Sequence, residues 1–137
     1  MTLNCAKLAY ESGCKKFLCA GTIAEQAISS LDSLIKTNGG MMYGVAKHCT
    51  QLMLETYCKN VGLNYVWMQF SNIYGPQNKT GNLVSYTLEE ILNNREATFG
   101  PALQIYDFIY IDDLINAVYR LGENETGLII IYWIRKS

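Results

Sequence analysis

The run Lys16-Phe17-Leu18-Cys19-Ala20 lies between Gly13 and Gly21 and has the length and apolar character of a buried strand. Strands of this kind are typical of parallel sheets that helices cover on both faces. Asn64–Phe70 is a second candidate strand, and Ile105–Ile111 is a third. How the chain connects these strands therefore decides its fold class.

Helices are predicted between and after these strands. Three segments have apolar residues at helical spacing: Leu3–Tyr10, Met41–Asn60 and Leu83–Leu92. Asp112 is expected to cap a further helix that ends at Gly122, and Leu128–Ile131 is a last apolar run. The alternation of helix and strand predicts an α/β protein with a largely parallel sheet, in one domain over residues 1–137.

The composition narrows the class of protein. Of 137 residues, 50% are hydrophobic and 17% are charged, with a formal net charge of −1. This balance favours a folded domain over a disordered chain. Lys and Arg do not cluster and no apolar stretch reaches about 18 residues, so we expect neither a nucleic-acid nor a membrane partner. The N-terminal residues lack the features of a secretory signal, which predicts a cytoplasmic protein.

The cysteines and the histidine give no sign of a metal site. The five cysteines are scattered among apolar residues and form no Cys-x-x-Cys pair. The single histidine, His48, has no ligand-like neighbours at the spacing that zinc sites use. We therefore expect free thiols packed as small apolar side chains, no disulfide and no metal.

The segment Tyr43-Gly44-Val45-Ala46-Lys47 is the first candidate for chemistry. Four-residue spacing places the tyrosine and the lysine on one face of a helix, one turn apart. A lysine ammonium beside a phenol favours the phenolate that proton transfer requires. Taken alone, the same spacing also fits a partly exposed helix face that has no chemical role.

Polar residues follow the predicted strands, where open α/β sheets collect their functional groups. Thr22 follows the first strand, and its hydroxyl can either bond a substrate oxygen or cap a helix. After the second strand, Asn72 precedes the turn Tyr74–Asn78 and can donate to a phosphate or sugar oxygen. The later segment Tyr106–Asp113 is a strand that leads into a helix, and its acidic residues fit helix capping.

These four motifs, in this order, resemble those of the extended short-chain dehydrogenases/reductases, specifically the NAD-dependent epimerases and dehydratases of nucleotide sugars. The resemblance runs from Thr2 to about Thr126. It implies a Rossmann-like, doubly wound parallel sheet with flanking helices, NAD or NADP as cofactor and a nucleotide sugar as substrate. The helices near 28–35 and 41–60 resemble those of the family's dimer interface, so a homodimer or higher self-association is expected.

The resemblance also implies catalytic roles for three residues. Tyr43 would be the acid/base that exchanges a proton with a sugar hydroxyl, next to the cofactor. Lys47 would hold the nicotinamide ribose and stabilise the ionised Tyr43. Thr22 stands where the family has its catalytic serine or threonine, which contacts the substrate.

Binding roles follow in the same way. Phe70 and Ser71 match the segment beside the nicotinamide end of the cofactor. Asn72 matches a position near the substrate phosphates, and Asn82 matches a position that commonly contacts the substrate. The residues that the resemblance assigns to the cofactor are thus Tyr43, Lys47, Phe70 and Ser71, and those that it assigns to the substrate are Thr22, Asn72 and Asn82.

One family feature does not occur in this sequence. The family begins with a strand, a Gly-x-x-Gly-x-x-Gly loop and a helix N-terminus that together cradle the cofactor pyrophosphate. The sequence contains no such loop. We therefore expect a partial Rossmann-like sheet without the N-terminal Gly-rich βαβ units, as in an enzyme truncated at its N-terminus. Such a fragment would bind NAD weakly and be inactive or nearly so as an isolated chain.

Substitutions within the motifs leave the identity of the substrate open. Gln69 and Tyr106 stand where the family commonly has arginines, and a tyrosine cannot reproduce an arginine's pairing with a diphosphate. Glu25-Gln26 stands where a Tyr-Gly pair is expected.

The alternative function is a non-catalytic, self-associating fragment or interaction module that retains the fold, and an α/β domain unrelated to the family is a third possibility.

Overall fold

The computed structural model describes residues 1–29, 39–78, 81–101, 103, 106–123 and 129–132. Within these ranges the helices are α1 (Thr2–Glu11), α2 (Gln26–Ser29), α3 (Gly39–Val61), α4 (Leu83–Leu92) and α5 (Ile111–Glu123). The strands are β1 (Lys16–Thr22), β2 (Asn64–Phe70), β3 (Asn72–Tyr74), β4 (Phe108–Tyr110) and β5 (Ile129–Tyr132). A single 3₁₀ turn, Ile23–Glu25, joins β1 to α2.

The larger sheet has three parallel strands in the order β1-β2-β5. β1 and β2 pair along their whole length, from Lys16 opposite Asn64 to Thr22 opposite Phe70. β2 is the central strand, and Tyr65–Gln69 are all buried. The predicted α/β class with a parallel sheet is therefore confirmed.

A second, two-stranded parallel sheet follows directly after β2. β3 pairs with β4, so that Asn72 lies opposite Phe108 and Tyr74 lies opposite Tyr110. The sequence predicted a turn at Tyr74–Asn78 but no strand before it, so the strand at Asn72–Tyr74 was missed. These three residues form a strand because a partner 36 residues further along the chain supplies the ladder, which a local pattern does not reveal.

The core lies between the three-stranded sheet and the helices α1 and α3. It consists of buried residues from all three layers: Ala6, Cys19, Leu54, Cys58, Leu63, Tyr65 and Trp67. Trp67, at 0% exposure, is the largest side chain buried in this way. α3 supplies Leu54 and Cys58 from successive turns of one face.

The ends of α5 differ from the prediction. The helix begins at Ile111, so Asp112 and Asp113 lie in its first turn, where the helix dipole favours acidic side chains, rather than before it as a cap. Gly122 does not end the helix, which continues to Glu123. A Cβ on Gly122 would lie 3.6 Å from Leu18 Cδ1, so this end of α5 packs against β1.

Other findings concern the thiols, the helices and one predicted segment. All five cysteines are free, with Cys19 and Cys58 buried and the other three exposed. In the part of the chain that is described, no helix is long and apolar enough to cross a membrane. The apolar piece predicted at 28–35 lies mostly outside the described residues, which include only its start in α2.

Candidate active site

The carboxyl ends of β1 and β2 form one edge of the larger sheet. Thr22, the last residue of β1, lies opposite Phe70, the last residue of β2. Because the two strands are parallel, Thr22 and the segment Phe70–Asn72 emerge at the same end of the sheet. The structure thus brings together the two polar segments that the sequence placed after separate strands.

α3 carries Tyr43 and Lys47 to this same end. Lys47 Nζ lies 5.9 Å from the centroid of the Tyr43 ring. It also donates a hydrogen bond of 2.8 Å to the carbonyl oxygen of Ala20, two residues before Thr22. Tyr43 is 52% exposed, so its ring is open to an incoming molecule while the lysine beside it is tied to the sheet.

A close contact between α3 and the 3₁₀ turn fixes where Tyr43 lies. A Cβ on Gly44 would be 2.6 Å from the carbonyl oxygen of Ala24 and 3.0 Å from Ile28 Cδ1. A larger residue at position 44 does not fit, because backbone cannot yield as the end of a flexible side chain does. The glycine within Tyr43–Lys47 therefore lets the helix pass directly over the turn that follows Thr22.

Thr22 caps the 3₁₀ turn. Its Oγ1 accepts a hydrogen bond of 3.3 Å from the backbone N–H of Ala24, and its own N–H donates to Glu25 Oε1 at 2.6 Å. This is the reciprocal arrangement of a capping box. The capping role that the sequence allowed is thus present, yet a hydroxyl that accepts one bond still has a proton to donate.

Glu25 is the residue that the sequence reasoning missed. It is 1% exposed, and its Oε2 accepts hydrogen bonds from Trp67 Nε1 at 2.9 Å and Gln69 Nε2 at 3.2 Å. Gln26 Nε2 in turn lies 3.5 Å from Gln69 Oε1. The signal was visible as two departures from the family pattern, at Glu25-Gln26 and at Gln69, and the register of β1 and β2 joins them into one network.

The two asparagines predicted to bind substrate both contact backbone. Asn72 Nδ2 donates to the carbonyl oxygen of Asp107 at 3.4 Å, beside the ladder of β3 and β4. Asn82 is the N-cap of α4, and its Oδ1 accepts the N–H of Ser85 at 2.8 Å. Within the described residues, no hydrogen bond joins Asn82 to Tyr43.

A cavity of about 690 Å³ lies between α4 and the turn that follows β3. Its lining includes Gly75, Pro76 and Asn78 from the turn and Ser85, Tyr86 and Leu92 from α4. Thr22, Tyr43 and Lys47 do not line it. The cavity is therefore a separate space on the side of α4, next to the segment that contains Asn82.

Comparison with known proteins identifies the family. The sequence profile of the NAD dependent epimerase/dehydratase family matches residues 1–131. This chain belongs to that family. The resemblance first drawn from the motifs around Thr22, Tyr43, Asn72 and Asp107 is confirmed.

Individual members of the epimerase/dehydratase family match only part of the chain's sequence. A CDP-abequose synthase from Salmonella muenchen is 30% identical over 57 residues, covering 42% of this chain and 20% of that protein. A dTDP-D-glucose 4,6-dehydratase from Dictyostelium discoideum is 27% identical over 85 residues, or 59% of this chain and 20% of that protein.

The fold is that of the family's solved structures. UDP-glucuronic acid 4-epimerase from Bacillus cereus, in complex with NAD, superposes on 95% of this chain with a TM-score of 0.74 and 23% identity. The superposed part is 44% of that enzyme, so this chain spans less than half of its length. The Rossmann-like fold is thereby established for the chain.

The residues at the sheet edge fit one end of an NAD molecule. Ser71 Oγ is buried and has no hydrogen-bond partner among the described residues. Lys47 has three N–H donors, and within the described residues Ala20 takes one of them. An unpaired hydroxyl and a half-exposed ammonium suit the hydroxyl-rich nicotinamide ribose. The Gly-rich loop that holds the pyrophosphate in the family does not occur in the sequence.

Proposed function

We propose that this chain carries the proton-transfer part of a NAD(P)-dependent epimerase or dehydratase that acts on a nucleotide-linked sugar. Residues 1–137 would form one partial cofactor-binding domain. The observation that supports the proposal most is the position of Lys47, beside the Tyr43 ring and bonded to Ala20 at 2.8 Å. That bond ties the proton-transfer pair to the strand end that carries Thr22.

Tyr43 is the proposed acid/base. Its ring is 52% exposed, so a sugar hydroxyl can approach the phenol oxygen directly. Lys47 has three N–H donors, of which Ala20 takes one, and the others would hold the hydroxyls of the nicotinamide ribose. Tyr43 would take the proton of the sugar hydroxyl and later return it.

Phe70 and Ser71 are proposed to border the nicotinamide, because Phe70 ends β2 and Ser71 follows it, at the edge where Thr22 ends β1. NAD, when bound there, supplies the hydride acceptor and donor for the sugar carbon. Ser71 Oγ would gain a hydrogen-bond partner that the described residues do not give it. Thr22 would donate its hydroxyl proton to a substrate oxygen while Oγ1 still caps the turn.

The substrate contacts proposed for Asn72 and Asn82 rest on the family pattern and on space. Asn72 lies in β3, and Asn82 begins the helix that borders the cavity of about 690 Å³. Since each asparagine already bonds backbone, only its remaining donors would face the nucleotide sugar.

Five free thiols favour a reducing compartment, so the proposal includes a cytoplasmic location.

Catalysis by this chain alone is expected to be absent or very slow. The backbone donors that orient a pyrophosphate come from the Gly-rich loop, and this sequence has none. NAD affinity is therefore expected to be weak, with a dissociation constant on the order of millimolar. The proposal accordingly needs a binding test that detects weak complexes.

Saturation-transfer NMR on NADH with the purified chain provides that test. We expect saturation to reach the nicotinamide protons more than the adenine protons, because the residues proposed for binding lie only at the nicotinamide end. Lys47→Met should abolish the transfer, whereas the matched variant Lys59→Met, on the exposed end of the same helix, should not. No transfer in the unaltered chain, or equal loss in both variants, would contradict the proposal.

A second candidate function is self-association without catalysis. Exposed apolar side chains form a stripe at helical spacing along α3: Met42, Val45, Leu52 and Met53. An uncovered stripe of this kind favours contact with a second copy of the chain, and a homodimer is compatible with either function. Sedimentation velocity tests it. Leu52→Glu should convert a dimer to a monomer, and Ile115→Glu, an equally exposed site on α5, should not.

A further inference from the structure

We infer that Glu25 is a positioning residue for the proton-transfer site, an inference that rests on the proposed function. Glu25 is 1% exposed, and its carboxylate accepts hydrogen bonds from three donors on two strands. Oε1 accepts the backbone N–H of Thr22 at 2.6 Å, and Oε2 accepts Trp67 Nε1 at 2.9 Å and Gln69 Nε2 at 3.2 Å. The ends of β1 and β2 are therefore tied to the turn through one side chain.

The charge of Glu25 is met by neutral donors. The ion pairs found in the described part of the chain, Lys59–Glu55 and Arg95–Glu90, do not include it. A buried carboxylate without a cation is unfavourable, and an apolar side chain of similar volume often stabilises a core more. A gain in folding stability therefore does not explain a carboxylate at position 25. Its hydrogen bonds to Thr22 and Gln69 instead point to a role in holding the ends of β1 and β2 in place.

Two glycines allow the turn that contains Glu25 to pack closely against β2 on one side and α3 on the other. A Cβ on Gly21 would lie 2.3 Å from Trp67 Nε1 and 2.7 Å from Glu25 Oε1. Only a glycine at position 21 therefore leaves room for the bond between Glu25 and Trp67. On the other side of the turn, Gly44 packs against the carbonyl oxygen of Ala24. The turn is thus held between the Glu25 network and α3, and Tyr43 is the residue next to that contact.

The consequence is specific. Removing the negative charge of Glu25 while keeping its shape should loosen the turn, and with it Thr22 on one side and Tyr43 on the other. Stability and site geometry should therefore change together in Glu25→Gln. Trp67→Phe offers the contrast, since it removes one indole donor from the core and leaves the bond between Thr22 and Glu25 in place.

NMR spectroscopy of the full chain tests the inference. In Glu25→Gln we expect the Trp67 indole and Thr22 amide proton signals to move upfield as their bonds to a charged acceptor are lost. The Tyr43 ring signals, assigned with Tyr43→Phe, should shift as well. In Trp67→Phe and in the control Glu11→Gln, on the exposed end of α1, the Tyr43 signals should stay in place.

Binding supplies the second measurement. By saturation transfer, NADH affinity should fall about fivefold or more in Glu25→Gln and stay unchanged in Glu11→Gln. Unmoved Tyr43 signals together with altered Thr22 and Trp67 signals would overturn the inference and leave Glu25 a purely structural residue. If Glu25→Gln does not fold, Glu25→Asp, which keeps the charge one methylene short of its partners, is read in the same way.

The outcomes for the inference and for the proposed function are separable. An unaltered chain that shows no transfer to NADH would end the proposed function. The Tyr43 ring signals require no cofactor, so they would still decide whether Glu25 holds the turn and α3 in place.

Discussion

The edge of the three-stranded sheet and the region around α4 are built on opposite principles. At the sheet edge, polar groups are buried and bonded to one another, as Glu25 is to Trp67 and Gln69. In α4, apolar groups are exposed, with Ile91 at 61% and Leu92 at 80%. The first region defines its own geometry through contacts within the chain, while the second leaves much apolar surface uncovered. This difference fits a preformed sheet edge, where proton transfer is proposed, and an α4 region that further contacts would complete.

The largest expected contrast between the two regions comes from one substitution made in each. Leu54 is fully buried in the core, and Leu54→Ala should lower the free energy of unfolding by about 2–5 kcal/mol, because it leaves a cavity. Leu92→Ala, at 80% exposure, should change it by less than about 0.5 kcal/mol. Urea denaturation followed by circular dichroism measures both. A comparable loss in Leu92→Ala would mean that the α4 surface is covered in solution.

Gly21 tests whether the sheet edge is as tightly packed as its distances indicate. Gly21→Ala places a methyl group 2.3 Å from Trp67 Nε1, and overpacking of this kind should cost about 1–3 kcal/mol in unfolding free energy. Gly100→Ala is the matched control, since a Cβ there has no neighbour within 4 Å. Equal unfolding free energies for the two variants would show that the Glu25 network yields easily, against the preformed geometry.

The sequence predicted best the parts of the fold whose cause is local. α4 at Leu83–Leu92 and β2 at Asn64–Phe70 have the predicted bounds, because apolar periodicity and length are read within one segment. The strand β3 was missed because its three residues carry no such pattern and depend on pairing with Phe108–Tyr110. Long-range pairing of short strands is not encoded in any window of the sequence.

The candidate site also has a part that local sequence predicts and a part that it does not. The Tyr43–Lys47 spacing on one helix indicated where an ammonium would lie relative to a phenol, and the structure has them 5.9 Å apart from atom to ring centroid. The partners of Glu25 could not be predicted, because they depend on the register that sets Thr22 opposite Phe70. A buried charged residue at a departure from the family pattern was the available sign, and it needed the structure to give it partners.

Asn82 tests how much the side chain that begins α4 contributes to stability. Asn82→Ala removes the side-chain acceptor for the N–H of Ser85 and should lower the unfolding free energy by about 1 kcal/mol. Asn82→Asp retains an acceptor at the N-cap and should keep that stability. Asn116→Ala on the exposed face of α5 controls for the loss of an amide. Thermal denaturation measures all three. Equal stability of the alanine and aspartate variants would mean that the cap contributes nothing.

The smallest expected effect concerns the other well-bonded glutamate, Glu90, at the end of α4. Arg95 donates to it twice, at 2.9 and 2.7 Å, and these bonds lower the pKa of Glu90 from its ordinary value of 4.5. A carboxyl whose pKa is lower in the folded chain adds stability above pH 4.5, and this stability is lost as the pH falls through the folded-state value.

Arg95→Met should therefore lower the melting temperature slightly at pH 7, and this difference should shrink as the pH falls below 4.5 and the Glu90 carboxyl of the unaltered chain takes up its proton. The difference should also shrink at high salt, because Arg95 is exposed and water and ions screen the pair. Lys59→Met, which removes the single contact to Glu55, controls for the loss of a surface cation. A destabilisation of Arg95→Met that stays the same as the pH is lowered would show that this arginine acts through packing and not through its charge. The buried Glu25 would then be the one carboxylate of this comparison whose bonds determine structure.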